Sequence, residues 1–350
     1  PCRHFKSCGG CQLQHAHDDF VAQWKLGIVR TSLEAHGLET DFRPVLTSPA
    51  QSRRRATFAA KRTKKGAMAG FYARSSDVII ETPDCQLVHP DLVAGFAVAE
   101  KLAALGTSRK AALAVTMTRS KNGLDVAVAN GKPLDGPLRQ TLAQWTQELS
   151  LARLSWSDEV VAMRLPPVQQ FGKAEVLPPP GAFLQATPEG EAALCRAVKE
   201  VVGDGMQVAD LFAGCGTFAL PLSETARVLA VEGEAEMLDA LDQGWRMAKG
   251  LKPITTEARD LFRRPLLPDE LAKLDAIVLD PPRAGAERQI AEIAKTSVPW
   301  IAYVSCNPIT FARDAATLVG AGYTLDWVQV VDQFRWSSHV ELAACFSRRN

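Results

Sequence analysis

The sequence predicts an α/β protein in which residues 176–350 form a doubly wound parallel sheet, preceded by a smaller α+β region. Short apolar runs alternate with helical periodicity from Gln207 onward, the pattern of a parallel sheet with crossover helices. A Gly-rich turn, Gly214-Cys215-Gly216, follows the first of these runs. The run Trp300–Val304 ends in Ser305-Cys306-Asn307-Pro308, which puts a thiol at the carboxyl end of a strand, where open α/β sheets bind their ligands.

Three segments are expected. Residues 1–90 carry a cysteine group and a basic stretch, 91–175 a central α+β domain, and 176–350 the α/β domain. Residues 17–37 read as a helix, from the spacing of Phe20, Val21, Trp24, Leu26, Val29 and Leu33, and 41–80 alternate like strands. Helices over Asp91–Leu105 and Leu138–Leu149 interleave with strands at Ala114–Thr118, Leu124–Ala129 and Val160–Leu165. Pro178-Pro179-Pro180-Gly181 then marks a boundary. Beyond it come a helix at Glu189–Val202, strands at Gln207–Leu211, Val228–Glu232, Ala276–Asp280 and Trp300–Ser305, and a helix at Phe311–Gly320. Leu325–Val331 and Val340–Phe346 read as an antiparallel hairpin at the edge of the sheet.

Hydrophobic residues make up 47% and charged residues 23%, the balance of a soluble globular protein. No apolar run approaches the roughly 20 residues of a membrane span, and no export signal opens the chain, so a cytoplasmic monomer is expected. The net charge of +1 does not point to nucleic acid, but its distribution does. Arg53, Arg54, Arg55, Lys61, Arg62, Lys64 and Lys65 place seven cations in thirteen residues with no acid among them. Such a run is either a solvated face or a phosphate-binding surface. Cys8-Gly-Gly-Cys11, with Cys2 upstream and Cys85 as the only other cysteine before residue 195, makes a four-thiol set suited to zinc or to an iron–sulfur cluster.

Asp210-Leu211-Phe212-Ala213-Gly214-Cys215-Gly216-Thr217 is a turn that lets a ligand approach the backbone closely. Glu232, eighteen residues after Gly214, is placed to accept hydrogen bonds from ribose hydroxyls. The pair fits NAD or S-adenosylmethionine. Asp210, the Phe-x-Gly-x-Gly form and the terminal hairpin resemble class I methyltransferases. Asp280-Pro281-Pro282-Arg283 fixes a carboxylate at a third strand end, and Arg283 stands where amino-group methyltransferases often carry an aromatic. A carbon acceptor accounts for Cys306: a thiolate adding to C6 of a pyrimidine makes C5 nucleophilic, and a base such as Glu341 then removes the C5 proton. An NAD-dependent oxidoreductase and a non-catalytic RNA-binding or redox-sensing protein are the competing readings.

Asp-Leu-Phe-Ala-Gly-Cys-Gly-Thr-Phe, Asp-Pro-Pro-Arg-Ala-Gly, Ser-Cys-Asn-Pro and His-Val-Glu, in this order, resemble the uracil-5 RNA methyltransferases. The Cys-x5-Cys-Gly-Gly-Cys-Gln-Leu-Gln-His block with Cys85 resembles the 4Fe-4S members acting on 23S ribosomal RNA. The resemblance implies a class I (Rossmann-like) S-adenosylmethionine-dependent methyltransferase domain. It implies Cys306 as nucleophile and Glu341 as base, with donor contacts from Gln185, Phe212, Thr217, Glu232 and Asp280. Phe183 is expected to stack on a flipped uracil. Cys2, Cys8, Cys11 and Cys85 are the implied cluster ligands, and Arg53, Arg54, Arg55, Lys61 and Arg62 the expected RNA contacts. The resemblance implies 23S ribosomal RNA as the first expected substrate and transfer RNA as the second. A small β-barrel domain that many members carry before the cysteines is expected to be missing here.

Overall fold

The computed structural model describes residues 1–348. In chain order, the first part runs α1 (Asp18–Glu34), β1 (Asp41–Phe42), β2 (Leu46–Thr47), β3 (Arg55–Arg62), β4 (Ala67–Tyr72), β5 (Ile79–Ile80) and α2 (Pro90–Gly106). It continues through β6 (Leu113–Ser120), β7 (Gly123–Ala129), α3 (Gly136–Glu148), β8 (Arg153–Trp156), β9 (Glu159–Met163), β10 (Gln169–Phe171) and β11 (Ala174–Val176). The remainder is α4 (Pro188–Val201), β12 (Gln207–Leu211), α5 (Ala219–Leu222), β13 (Arg227–Glu232), α6 (Ala235–Met247), β14 (Ile254–Ala258), α7 (Pro268–Leu271), β15 (Ala276–Leu279), α8 (Glu287–Ile293), β16 (Trp300–Ser305), α9 (Pro308–Gly320), β17 (Thr324–Asp332) and β18 (Leu342–Ser347).

The larger sheet has the order β1-β17-β18-β16-β15-β12-β13-β14, with β2 also paired to β17. Strands β12 to β16 are all parallel, and all but β14 are built from apolar runs because helices cover both faces; Ala276–Leu279 is buried at every position. From β12 the chain winds outward to β13 and β14, then returns to place β15 and β16 on the other side. That reversal opens a crevice at the carboxyl ends of β12, β13, β15 and β16.

The second sheet, β5-β4-β3-β6-β7-β8-β9, is mostly antiparallel and packs its inner face on α2 and α3. Phe58, Val115, Met117, Val126 and Val128 point inward and alternate with outward-facing neighbours such as Thr57 and Thr116. A buried ion pair joins the two parts. Arg54 contacts the Glu191 carboxylate on α4, and its Nε donates to the Gln185 carbonyl at 3.0 Å.

The larger sheet differs from the sequence expectation in two features. The terminal hairpin is not at the edge: β18 lies between β16 and β17, and β1 and β2 from the N-terminal segment close the outer side of β17. A further parallel strand, β14, stands at the opposite edge. Its Ile-Thr-Thr-Glu-Ala sequence carries too little apolar character to signal a strand, because only Ile254 is buried.

Candidate active site

The strand ends deliver the site. A cleft of about 1050 Å³ is bordered by the Gly-rich turn after β12, Glu232, Asp280 to Arg283, Cys306, Phe183, Gln185 and the loop 333–341. Residues expected from three separate motifs therefore share one space.

The Gly-rich turn is shaped by its backbone. Phe212 adopts φ of +64°, a conformation costly for a residue with a side chain, and Gly214 and Gly216 take +55° and +95°. A Cβ on Gly216 would meet Leu220 and Leu241 at under 3 Å, so only glycine fits. Glu232 holds this turn. Its carboxylate accepts from the amides of Gly214 at 3.0 Å, Gly233 at 2.7 Å and Glu234 at 3.1 Å. Thr217 follows at the same wall. Beneath, Asp210 is sealed from solvent with both carboxylate oxygens unpartnered among the described residues, and burial with the nearby Asp280 pushes its titration far up. The tight turn and the enclosed acids suit a polar, cationic, nucleoside-like ligand such as S-adenosylmethionine.

Cys306 stands one residue beyond β16, directly before the N-cap of α9. Asn307 caps that helix by accepting from the Ile309 amide at 3.1 Å, and Pro308 opens it, so the Asn-Pro signal is a helix start as well as a turn. A helix N-terminus favours a thiolate. Burial pushes the Cys306 thiol up to about 11, the Glu341 and Asp280 carboxylates add to that, and the Arg283 guanidinium opposes it. Arg283 is itself held by His339, 2.7 Å from Nη2 to Nδ1.

Glu341 lies in the loop just before β18, not in a strand, and it is buried rather than on an exposed edge. Enclosure, then the Asp280 charge, raise it well above an ordinary glutamate. Asp280 is raised by burial to about 7 and accepts from Gln185 Nε2 at 3.1 Å. Phe183 projects into the cleft with 63% of its surface exposed.

The basic run does not form one surface. Arg54 is buried in its ion pair with Glu191 and cannot meet a phosphate, which corrects its assignment as an RNA contact. Arg53 lines the cleft, and Arg55 donates to the Gly181 carbonyl beside it. Lys61 and Arg62 sit at the far end of β3, about 20 Å along the strand from Arg55. Together with Lys64 and Lys65 they form the tip of the β3–β4 turn.

The charges of Cys2, Cys8 and Cys85 all bear on Cys11, whose thiol burial raises to about 12. Gly10 N and Gln14 Nε2 each donate to sulfur, at 3.3 Å to Cys8 and 3.3 Å to Cys11, the kind of contact that supports ligating thiolates. The donor set fits a four-thiolate centre in chemistry. Among the described residues, however, no group of three or more Cys, His, Asp or Glu side chains is gathered at metal-holding spacing. The cysteine loop also borders the cleft through Gly9, Gly10 and Gln12. Its backbone meets the Glu341 loop, with Gln12 and Leu13 amides donating to the Trp336 carbonyl at 2.8 and 2.9 Å.

A family model described as tRNA (Uracil-5-)-methyltransferase matches residues 245–349. A 23S rRNA (uracil(1939)-C(5))-methyltransferase of Halomonas elongata is 32% identical over 97% of this chain and 75% of its own length. The chain belongs to the RNA uracil-5 methyltransferase family. An uncharacterized RNA methyltransferase of Brucella suis is 42% identical to it over 99% of the chain and 84% of the relative. The fold of this methyltransferase is also that of the tRNA (uracil-54, C5)-methyltransferase of Pyrococcus abyssi in complex with S-adenosyl-L-homocysteine. There the TM-score is 0.76 at 22% identity, over 97% of this chain and 86% of the other. No helix of the methyltransferase among the described residues is long and apolar enough to cross a membrane.

Sequence reasoning missed two groups. Gln333, buried in the loop wall, carries no periodic signal. Lys25 occupies a position on the buried stripe of α1 with Val21, Val29 and Leu33, and a lysine in that register was the available sign of a buried partner.

Proposed function

We propose that the protein transfers a methyl group from S-adenosylmethionine to carbon 5 of a specific uridine in RNA, with 23S ribosomal RNA as the favoured substrate. The observation that carries this reading is the meeting of Cys306, Glu341 and Asp280 with the Gly-rich turn in one cleft. An oxidoreductase would leave the thiol and the buried glutamate without work. The 23S preference rests on the Halomonas relative, and transfer RNA is the second substrate class, supported by the family model.

S-adenosylmethionine, when bound, supplies an electrophilic methyl sulfonium. Gln185, Phe212, Thr217, Glu232 and Asp280 are the residues proposed to hold it. Phe183 stacks on the extruded uracil. The Cys306 thiolate adds to C6, placing the ring electrons on C5 and O4, and C5 takes the methyl group as that group's bond to the donor sulfur breaks and S-adenosylhomocysteine leaves. Arg283, exposed at the cleft, favours the thiolate. After methylation, Glu341 takes the C5 proton, the ring electrons return, and the bond from C6 to Cys306 breaks to free the thiolate. Cys2, Cys8, Cys11 and Cys85 are proposed to hold a 4Fe-4S cluster whose role is structural, because their loop braces the Glu341 loop at Trp336. Arg53 and the cations of the β3–β4 turn are proposed to meet RNA phosphates.

Incubation with methyl-labelled S-adenosylmethionine and either a 23S fragment or transfer RNA, followed by nucleoside analysis, tests the assignment. 5-Methyluridine in the ribosomal fragment is expected. Label only in transfer RNA would move the substrate, and label on another nucleoside would overturn the chemistry.

A further inference from the structure

We infer that Gln333 is a positioning residue that fixes the carboxylate of Glu341 for removal of the C5 proton. The inference deepens the reading given above and rests on it.

Gln333 is 1% exposed, and every hydrogen-bonding atom of its amide is engaged. Its Nε2 donates to Glu341 Oε2 at 3.0 Å and to Gln185 Oε1 at 2.5 Å, and its Oε1 accepts from the Ala186 amide at 2.8 Å. The Ala186 donor decides which end of the amide is oxygen, so Nε2 must face the two acceptors. Gln185 passes the contact on to Asp280. The two buried carboxylates are thus joined through two side-chain amides, and Gln333 supplies the only side-chain donor that Glu341 has among the described residues.

The surroundings hold Gln333 still. Lys25 Nζ binds the carboxylate of Asp332 and the carbonyl of Phe334, the residues on either side of it. On the opposite flank Gly190 of α4 leaves room for it: a Cβ there would lie 2.6 Å from Gln333 Cβ and 3.0 Å from its Oε1. A merely space-filling residue would need neither the clamp nor the three matched partners. A carboxylate that must reach one proton on a ring fixed by Cys306 gains from being fixed itself, since general-base efficiency depends on orientation.

The test measures, in the full chain with S-adenosylmethionine and unmodified substrate RNA, both product formation and the denaturation-resistant protein–RNA adduct. Gln333→Met keeps the volume and removes the donor. It is expected to form adduct within about threefold of the parent rate while release of methylated RNA slows about tenfold or more, so that adduct accumulates on ordinary uridine. Gly190→Ala, which displaces Gln333 without removing it, is expected to accumulate adduct in the same way and serves if Gln333→Met folds poorly. Glu341→Gln separates the two ideas. Accumulation in Glu341→Gln but in neither other variant overturns the role of Gln333 and leaves the proposed chemistry standing. No accumulation in Glu341→Gln overturns the chemistry itself.

Discussion

Lys25 Nζ lies 2.5 Å from Asp332 Oδ1, with both side chains closed off from solvent. The pair spans 307 residues of sequence and pins α1 to the end of β17, where the loop bearing Gln333, His339 and Glu341 begins. Burial lowers the titration of Lys25 and raises that of Asp332, and the attraction between the two opposes both shifts.

Removal of one partner leaves an uncompensated buried charge. Lys25→Met is expected to destabilise the protein by about 3–5 kcal/mol, and Lys25→Met with Asp332→Leu by much less. Chemical denaturation of the two singles and the double gives the coupling. Equal losses in a single and the double would show that packing, not charge, holds the segment.

The two halves of the basic run are expected to separate in binding. Replacing Lys61, Arg62, Lys64 and Lys65 with glutamine should weaken RNA binding and lower the slope of log affinity against log salt by about one for each phosphate left without its cation. Arg54→Met should change stability and leave that slope alone. Titrations at several salt concentrations read both, and a slope altered by Arg54→Met would place that residue on RNA after all.

Phe183 is an aromatic held exposed in the cleft. Phe183→Ala is expected to reduce kcat/KM for RNA about fivefold to a hundredfold, the range set by loss of one base–aromatic stack, with donor binding unchanged. Steady-state kinetics beside calorimetry of the donor distinguish this from general damage to the site.

Adduct formation should climb with pH. With the thiol near 11, the thiolate fraction rises about tenfold per unit across the neutral range, and ionisation of the raised Glu341 favours the later proton removal in the same direction. Single-turnover rates from pH 6 to 9 are expected to increase throughout. A flat profile would mean that neither group limits the reaction.

The strand ends were legible in the sequence because a parallel sheet concentrates apolar residues into unbroken runs and leaves chemistry where each run stops. Glu232, Asp280 and Cys306 all stand at such stops. Arg54 was not legible, because a buried ion pair and a solvated cation share one residue type and only Glu191, 137 residues away, decides between them. The edge placement of the hairpin failed for a similar reason: nothing local in Leu342–Ser347 reports that β1 and β2 return to cover β17. Gln333 gains its meaning from Gln185, Ala186, Gly190 and Lys25, neighbours that no local pattern encodes.

Covalent capture on RNA carrying 5-fluorouridine tests the central claim most directly, because fluorine cannot leave C5 as a proton does. The protein is mixed with S-adenosylmethionine and a fluorinated 23S fragment, denatured, and the linked residue mapped by mass spectrometry. A methylated adduct on Cys306, absent in Cys306→Ala, is predicted. An adduct on another cysteine, or its persistence in Cys306→Ala, would contradict the assignment of the nucleophile.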